Sequence, residues 1–148
     1  MVIIGAKRNG RYYVGGFVKS TSRQKFDKIR FMIDTSEIFT VISIPDAIKN
    51  NIDYDSFKVN RFEICDRNVD AHIYRDCELS LFDDSKPSEP YKTTLEMVLI
   101  PVKKAFESEP KINVSRLGLD VLQNFKMTFN NAEMMHLVPQ DKSDFSPL

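Results

Sequence analysis

The sequence is poor in several residues that mark particular protein classes. Its 148 residues include no tryptophan, two cysteines and five glycines. Two cysteines are too few for the disulfide framework of a small secreted domain, so we expect reduced thiols and a cytoplasmic protein. The apolar run at residues 1–5 is too short for a signal peptide, and no stretch approaches the roughly 20 apolar residues of a membrane span.

Net charge is also absent, because 21 basic residues balance 21 acidic residues. A broad nucleic-acid or membrane-surface site needs an excess of lysine and arginine on one face, so we expect neither kind of partner. The apolar fraction of 42% is typical of a globular chain with one core. We expect a single domain over residues 1–138 and a flexible, polar tail over residues 139–148.

Short runs of β-branched and aromatic residues predict many strands. These runs cover residues 11–18, 29–33, 39–44, 56–64, 69–82, 91–102, 125–129 and 134–138. Ser43 and Asp46 have the spacing of a capping box, which predicts a short helix through Lys49. Asp120 and Gln123 predict a second short helix with Asp120 as its cap. This pattern predicts an all-β fold, a closed or nearly closed barrel with one or two short helices.

The segment at residues 31–42 carries the clearest chemical signal. An apolar strand runs into the lone acid Asp34, and two hydroxyl residues, Thr35 and Ser36, follow it. A carboxylate at the end of a buried strand needs a hydrogen bond or a partner charge, and Thr35 is a candidate donor. The residues alone leave an alternative open, an ordinary turn, because Asp, Thr and Ser are common in turns.

In its context this segment resembles the active-site loop of the retropepsin-like aspartic peptidases, where an apolar strand delivers Asp-Thr-Gly. A second segment, residues 117–129, resembles the closing signature of that family. There a glycine, here Gly118, precedes a short helix and a final β-hairpin. The resemblance implies a retropepsin-like barrel, and the separation of Asp34 from Gly118 suits a single lobe.

The resemblance implies catalytic roles for Asp34, Thr35 and Ser36. In such a site two carboxylates share one proton, the ionised carboxyl activates a water, and the protonated one polarises the peptide carbonyl. The chain has one Asp-Thr-Ser triplet, so the second aspartate must come from the other subunit of a homodimer. Thr35 would hydrogen-bond across the two loops, and Ser36 would lie near the water. Residues 2–4 and 134–138 are expected to contribute to the subunit interface.

Three departures from the family pattern favour a second interpretation. Ser36 stands where the family has glycine, and a hydrogen bond from it to ionised Asp34 would lower the carboxyl pKa. Arg116 replaces a usually apolar residue and would also hold carboxylates ionised. The turn at residues 66–68, which is the candidate flap, has no glycine. The alternative to a homodimeric aspartic endopeptidase is a non-catalytic dimerising or peptide-binding module on the same fold.

Other candidate sites carry weaker signals. Cys65, His72, Cys77 and His136 match no zinc-ligand spacing, so we expect core or surface roles for them and no metal. Residues 53–55 lack the glycine and glutamate of a calcium loop. No cofactor is implied. The expected partners are a second copy of the chain and a polypeptide substrate or peptide ligand.

Overall fold

Nine β-strands and three short α-helices make up most of the described chain. The computed structural model describes residues 2–19, 28–82, 90–108, 110–131 and 133–140. The strands are β1 (Ile3–Arg8), β2 (Arg11–Val18), β3 (Ile29–Ile33), β4 (Val59–Ile64), β5 (Arg67–Phe82), β6 (Tyr91–Pro101), β7 (Arg116–Leu117), β8 (Phe125–Asn131) and β9 (Met134–Pro139). The helices are α1 (Ile44–Lys49), α2 (Lys103–Ser108) and α3 (Leu119–Leu122), and 3-10 turns cover Tyr54–Ser56 and Pro110–Ile112.

All nine strands belong to one sheet, which confirms the predicted all-β architecture. Its main path runs β4-β5-β2-β1-β9-β8, with β3 beside β2, β7 beside β3 and β6 beside β5. β5 is 16 residues long and pairs in turn with β4, β6 and β2. Asp76 has a φ of 53° and interrupts the pairing of β5 with β6. The register of the pairing is the same on both sides of Asp76, so the interruption is confined to one residue pair.

Two clusters of buried apolar side chains form the core. The larger cluster takes residues from most strands and from α1 and α3. The smaller one lies beside the β4–β5 hairpin, and its buried members are Val41, Ile64, Ala71, Leu99 and Ile112. Fully burying one large aliphatic side chain stabilises a fold by about 1.5–3 kcal/mol. The second cluster therefore holds the end of the hairpin against the body of the domain.

The strand predicted at residues 39–44 is wrong, because only Val41 forms β-bridges. Its backbone exchanges two hydrogen bonds with Arg116, of 2.9 and 2.8 Å. Ser43 then ends the extended segment by capping α1, and its side chain accepts a hydrogen bond from the Asp46 backbone N–H. The predicted helix through Lys49 is thus confirmed with its predicted cap, while the strand before it shrinks to one residue.

Asp120 does not cap the second predicted helix. The N-cap of α3 is Gly118, which offers no side chain, and Asp120 lies inside the helix. Its carboxylate accepts hydrogen bonds from the Thr40 backbone N–H at 3.0 Å and the Thr40 hydroxyl at 2.7 Å. The Asp120 carboxylate therefore binds a residue distant in sequence, Thr40, and does not cap the helix locally. α2 was not among the predicted helices.

The predicted hairpin between residues 56–64 and 69–82 forms, but its turn lies earlier than expected. Cys65 and Asp66 are the two turn residues, with φ values of 52° and 61°, and Arg67 already pairs with Ile64. Positive φ at both central residues is the pattern of a type I′ turn. The prediction of a turn at residues 66–68 is wrong because the chain uses Asp and Cys where glycine or asparagine is usual.

Both ends of the described chain are interior strands of the sheet. β1, which the sequence patterns did not predict, pairs with β2 on one side and β9 on the other. The predicted final hairpin is confirmed as β8 and β9, and β9 lies between β1 and β8. β9 extends through Pro139, the first residue of the predicted tail. Residues 83–89 of a predicted loop and 141–148 of that tail lie outside the described residues.

Candidate active site

Asp34 lies immediately after β3, where β7 holds the chain in place. Its backbone N–H donates to the Leu117 carbonyl at 3.1 Å, and its own carbonyl accepts from the Glu37 N–H at 3.2 Å. β7 is parallel to β3 on one side and bridges Val41 on the other. The backbone at both ends of the Asp34 loop is therefore fixed to one short strand, and the Asp34 side chain is 14% exposed.

Both oxygens of the Asp34 carboxylate have hydrogen-bond donors. Oδ1 accepts from the Ser36 backbone N–H at 3.0 Å and from the Ser36 hydroxyl at 2.5 Å. Oδ2 accepts from Nη1 of Arg116 at 2.6 Å. The local donor is thus Ser36, and the exposed Thr35 does not take that position. Burial acts to raise the pKa of Asp34, but the hydrogen bonds and charge of Ser36 and Arg116 outweigh it and lower the pKa.

Arg116 is the charged partner of Asp34, and the sequence alone did not predict a contact between the two residues. Its side chain is 9% exposed. Nη1 donates to Asp34 and Nη2 donates to the Lys111 carbonyl at 2.6 Å. Nε is buried and has no hydrogen-bond partner among the described residues. The expected effect of Arg116, to hold a carboxylate ionised, follows from this geometry for the Asp34 of its own chain.

Glu37 is a site residue that the sequence reasoning missed. It is 6% exposed, and its Oε1 accepts a hydrogen bond of 2.8 Å from the Cys65 backbone N–H. Burial raises the pKa of Glu37, the Cys65 hydrogen bond opposes that shift, and the nearby Asp34 carboxylate adds to it. The sequence signal that could have identified Glu37 is that it is the second acid, after Asp34, in an otherwise apolar and hydroxyl-bearing segment.

The β4–β5 hairpin meets the Asp34 loop through this contact. The backbone N–H of Cys65 in the turn donates to the Glu37 carboxylate, and Ile64 just before it is fully buried. Burial raises the pKa of the Cys65 thiol, and the charges of Arg116, Glu37 and Asp34 all act on it. The turn therefore lies within electrostatic reach of the Asp34–Arg116 pair, and the hairpin is closed against the site in this conformation.

Gly118 allows α3 to approach the Asp34 loop closely. A Cβ at this position would lie 2.7 Å from the carbonyl carbon and oxygen of Phe39 and 3.0 Å from the Glu37 carbonyl oxygen. The Leu119 backbone N–H donates to the same Glu37 carbonyl at 2.8 Å. Together with the Thr40–Asp120 hydrogen bonds, these contacts hold the far end of the loop, so the position of Asp34 is strongly constrained.

The remaining predicted candidates are dispersed through the domain. Cys77 is buried in the core, His72 packs against Tyr54 at 5.3 Å, and His136 lies on β9. Within the part of the chain that the structure describes, no three His, Cys, Asp or Glu side chains are grouped to hold a metal ion. Over the same ranges, no helix is long and apolar enough to cross a membrane.

Comparison with solved structures relates this architecture to a known one. A crystal structure of a retropepsin-like aspartic protease from Rickettsia conorii matches with a TM-score of 0.62 and 21% sequence identity. The match covers 93% of this chain and 89% of that chain. No protein-family model matches the sequence, and no curated protein matches it significantly. At this identity the likeness is one of fold, and the chain has the all-β retropepsin-like fold.

Proposed function

We propose that the chain is a retropepsin-like aspartic endopeptidase that acts as a homodimer. The observation that supports this most is the position of Asp34, partly exposed after β3 and fixed by β7 in a retropepsin-like fold. Each subunit would contribute one Asp34 carboxylate to a pair that shares a proton. The ionised member takes a proton from water, which attacks the peptide carbonyl that the protonated member polarises.

Exposed apolar residues beside the loop support a subunit contact there. Thr35 and Ser36 are exposed, Ile38 is 66% exposed and Leu119 is 42% exposed. α3 and the loop are joined by a hydrogen bond from the Asp120 N–H to the Ile38 carbonyl, which brings these side chains onto one part of the surface. A partner subunit that covers them would place its own Asp34 loop opposite, as a two-fold axis requires.

The expected contribution of residues 2–4 and 134–138 to the subunit interface stays a prediction, and strand pairing within the subunit limits how their backbone could take part. Residues 3–6 already pair with residues 134–137 of the same chain. Both strands also have a second neighbour, so neither has a free edge. β8 pairs with β9 alone among the described strands, so of the strands near the two chain ends it is the one with an edge available for pairing.

The ion pair with Arg116 sets a condition on the chemistry. Proton sharing between two carboxylates requires that one of them is protonated at the working pH. Arg116 and Ser36 both stabilise the ionised form of Asp34 and lower its pKa. The proposed enzyme is therefore in a resting arrangement here, and either acid or the departure of Arg116 from Asp34 brings the pair into its working state.

The same ion pair favours a second candidate, a non-catalytic peptide-binding module. Both Asp34 oxygens already accept hydrogen bonds within the same subunit, from Ser36 and Arg116, which leaves less acceptor capacity for a catalytic water. A module of this kind would keep the dimer. It would bind extended peptides without cleaving them.

Two measurements on the full chain separate these functions. Sedimentation at micromolar concentration should give a dimer, and an unfolded-protein or peptide library should be cleaved at acid pH. Asp34→Asn should abolish cleavage, whereas Asp53→Asn, an exposed aspartate far along the chain, should not change it. Ser36→Gly should raise activity because it removes one hydrogen bond that keeps Asp34 ionised.

The opposite results are equally informative. A dimer that binds library peptides without cleaving them, in wild type and Ser36→Gly alike, would establish the binding module. A monomer at every concentration would contradict both functions, because each needs the second subunit. Cleavage that survives in Asp34→Asn would assign the activity to another site.

A further inference from the structure

We propose that Arg116 makes the site selective for peptides with an aspartate or glutamate next to the scissile bond. The carboxylate of the peptide takes over the guanidinium from Asp34. This inference rests on the proposed peptidase function and names its substrate class. Arg116 would then be a specificity-determining residue. In the absence of substrate, the Asp34 carboxylate occupies the position on the guanidinium that the substrate carboxylate would take.

The first support is distance. Nη1 of Arg116 is 2.6 Å from Oδ2 of Asp34. A peptide whose scissile carbonyl lies at Asp34 must place the side chains next to that bond within a few ångströms of the guanidinium. Whatever residue occupies those positions therefore meets an arginine whose side chain is 9% exposed, where charge interactions are screened less than at the surface.

The second support is the unused donor capacity of Arg116. A guanidinium has five N–H groups, and the two hydrogen bonds to Asp34 and Lys111 engage only Nη1 and Nη2. Nε is buried without a partner in the described part of the chain. A buried donor without an acceptor is unfavourable, and arginine binds carboxylates through two parallel N–H groups. A substrate carboxylate is a ligand that could satisfy this donor once the guanidinium has turned away from Asp34.

The third support is the charge balance around the guanidinium. Three titratable groups of the described chain, Asp34, Glu37 and Cys65, are in electrostatic contact with it. If Arg116 simply left Asp34, it would lose its hydrogen-bonded counter-ion in a poorly solvated position, which is costly. A peptide carboxylate supplies that counter-ion, whereas a glutamine does not and a lysine is repelled.

The exchange also couples binding to chemistry. With Arg116 bound to the peptide, Asp34 loses the donor on Oδ2, and its pKa rises because the ionised form has lost a cation. Proton sharing with the second Asp34 then becomes favourable. An acidic substrate therefore binds and prepares the catalytic pair in one step, which predicts an effect on kcat as well as on KM.

Peptide sets that place Glu, Gln or Lys in turn at each position flanking the cleaved bond provide the test. For at least one position, wild type should cleave the Glu peptide roughly tenfold faster in kcat/KM than the Gln peptide, the size expected of a charged hydrogen bond. Arg116→Gln should remove this preference, and Arg116→Lys should retain only part of it. Arg61→Gln, an exposed arginine on β4, should leave it unchanged.

A binding measurement on Asp34→Asn separates this inference from the proposed function. That variant cannot cleave, and its Arg116 is released from Asp34, so fluorescence anisotropy should show tighter binding of the Glu peptide than wild type shows. If wild type cleaves Glu and Gln peptides equally at every position, the inference is wrong and the peptidase stands. If nothing is cleaved but Asp34→Asn still selects the Glu peptide, the recognition stands and the peptidase fails.

Discussion

Two neighbouring residues, Ser115 and Arg116, belong to two different polar clusters, each built around one carboxylate with two side-chain donors. The capping cluster consists of Ser43, Asp46 and Ser115. Oδ2 of Asp46 accepts from the Ser115 hydroxyl at 2.6 Å and from the Ser43 hydroxyl at 3.1 Å. The Ser43 backbone N–H donates to the Ser115 hydroxyl oxygen at 3.0 Å. This cluster joins the start of α1 to the segment before β7.

The charged cluster consists of Asp34, Ser36 and Arg116 and also has one carboxylate with two side-chain donors. Here one donor is an arginine, which brings a full charge and more N–H groups than the cluster uses. The carboxylate pKa is lowered, and Nε is left unpaired. The capping cluster is held by neutral hydroxyl donors, whereas the charged cluster has an unused donor and a full charge, which the proposed exchange of partners requires.

The largest effect on stability should come from breaking the charged cluster on one side. Asp34→Ala leaves the Arg116 guanidinium without its counter-ion. Removing one member of a buried pair costs about 3–5 kcal/mol, and the partial exposure of both side chains reduces this to about 2 kcal/mol. Arg116→Leu added to Asp34→Ala should restore most of the loss. Urea unfolding at one fixed protein concentration measures both, and a double variant no more stable than Asp34→Ala would contradict the role of the ion pair.

A smaller loss should follow from the capping cluster. Ser115→Ala removes a donor to Asp46 and the acceptor of the Ser43 N–H, so the free energy of unfolding should fall by about 1–2 kcal/mol. Peptide binding and cleavage should not change. Ser56→Ala, which removes an exposed hydroxyl bonded to the Asp53 carbonyl, is the matched control and should cost less. Altered substrate selection in Ser115→Ala would show that the two clusters are coupled.

The smallest effect is a pH dependence of opposite sign for two acids of one loop. The pKa of Asp34 is lowered from 3.8, so its contribution is present above that pH and is lost as the pH falls. The pKa of Glu37 is raised from 4.5, so its contribution is present below 4.5 and is lost as the pH rises through the folded pKa.

Matched amide variants measure these two contributions. Asp34→Asn should cost stability at neutral pH, and the cost should shrink in acid. Glu37→Gln should become relatively more stable as the pH rises from acid to neutral. Thermal or urea unfolding across that range gives both differences. Parallel curves for the two variants would contradict the opposite environments of these carboxyl groups.

Local signals in the sequence were sufficient where neighbours along the chain decide the structure. β2 and β3 begin and end at the predicted residues, and α1 has its predicted cap. Alternating apolar residues and a Ser-x-x-Asp spacing act over a few residues, so the sequence displays them directly. The resemblance of residues 31–42 and 117–129 to a known family also gave the fold.

Signals failed where a distant partner decides. Asp120 has the sequence spacing of a helix cap, but its carboxylate instead accepts a hydrogen bond from the distant Thr40. Only Val41 of the predicted strand at residues 39–44 is paired, and its partners Leu99 and Arg116 are also far along the chain. The Glu37–Cys65 contact joins two turns that nothing local connects. Catalytic roles for Asp34, Thr35 and Ser36 stay predictions, since they depend on a second subunit.

The bond between Arg116 and Asp34 also constrains the order of folding, because it joins residues 82 positions apart. Contacts between distant segments form slowly, since a long loop must be closed before they add any stability. During synthesis Asp34 is made long before β7, the strand that fixes it. A chain that ends before β7 and α3 therefore lacks Arg116 and the helix that packs against the Asp34 loop. The candidate site therefore cannot form until β7 and α3 have been synthesised.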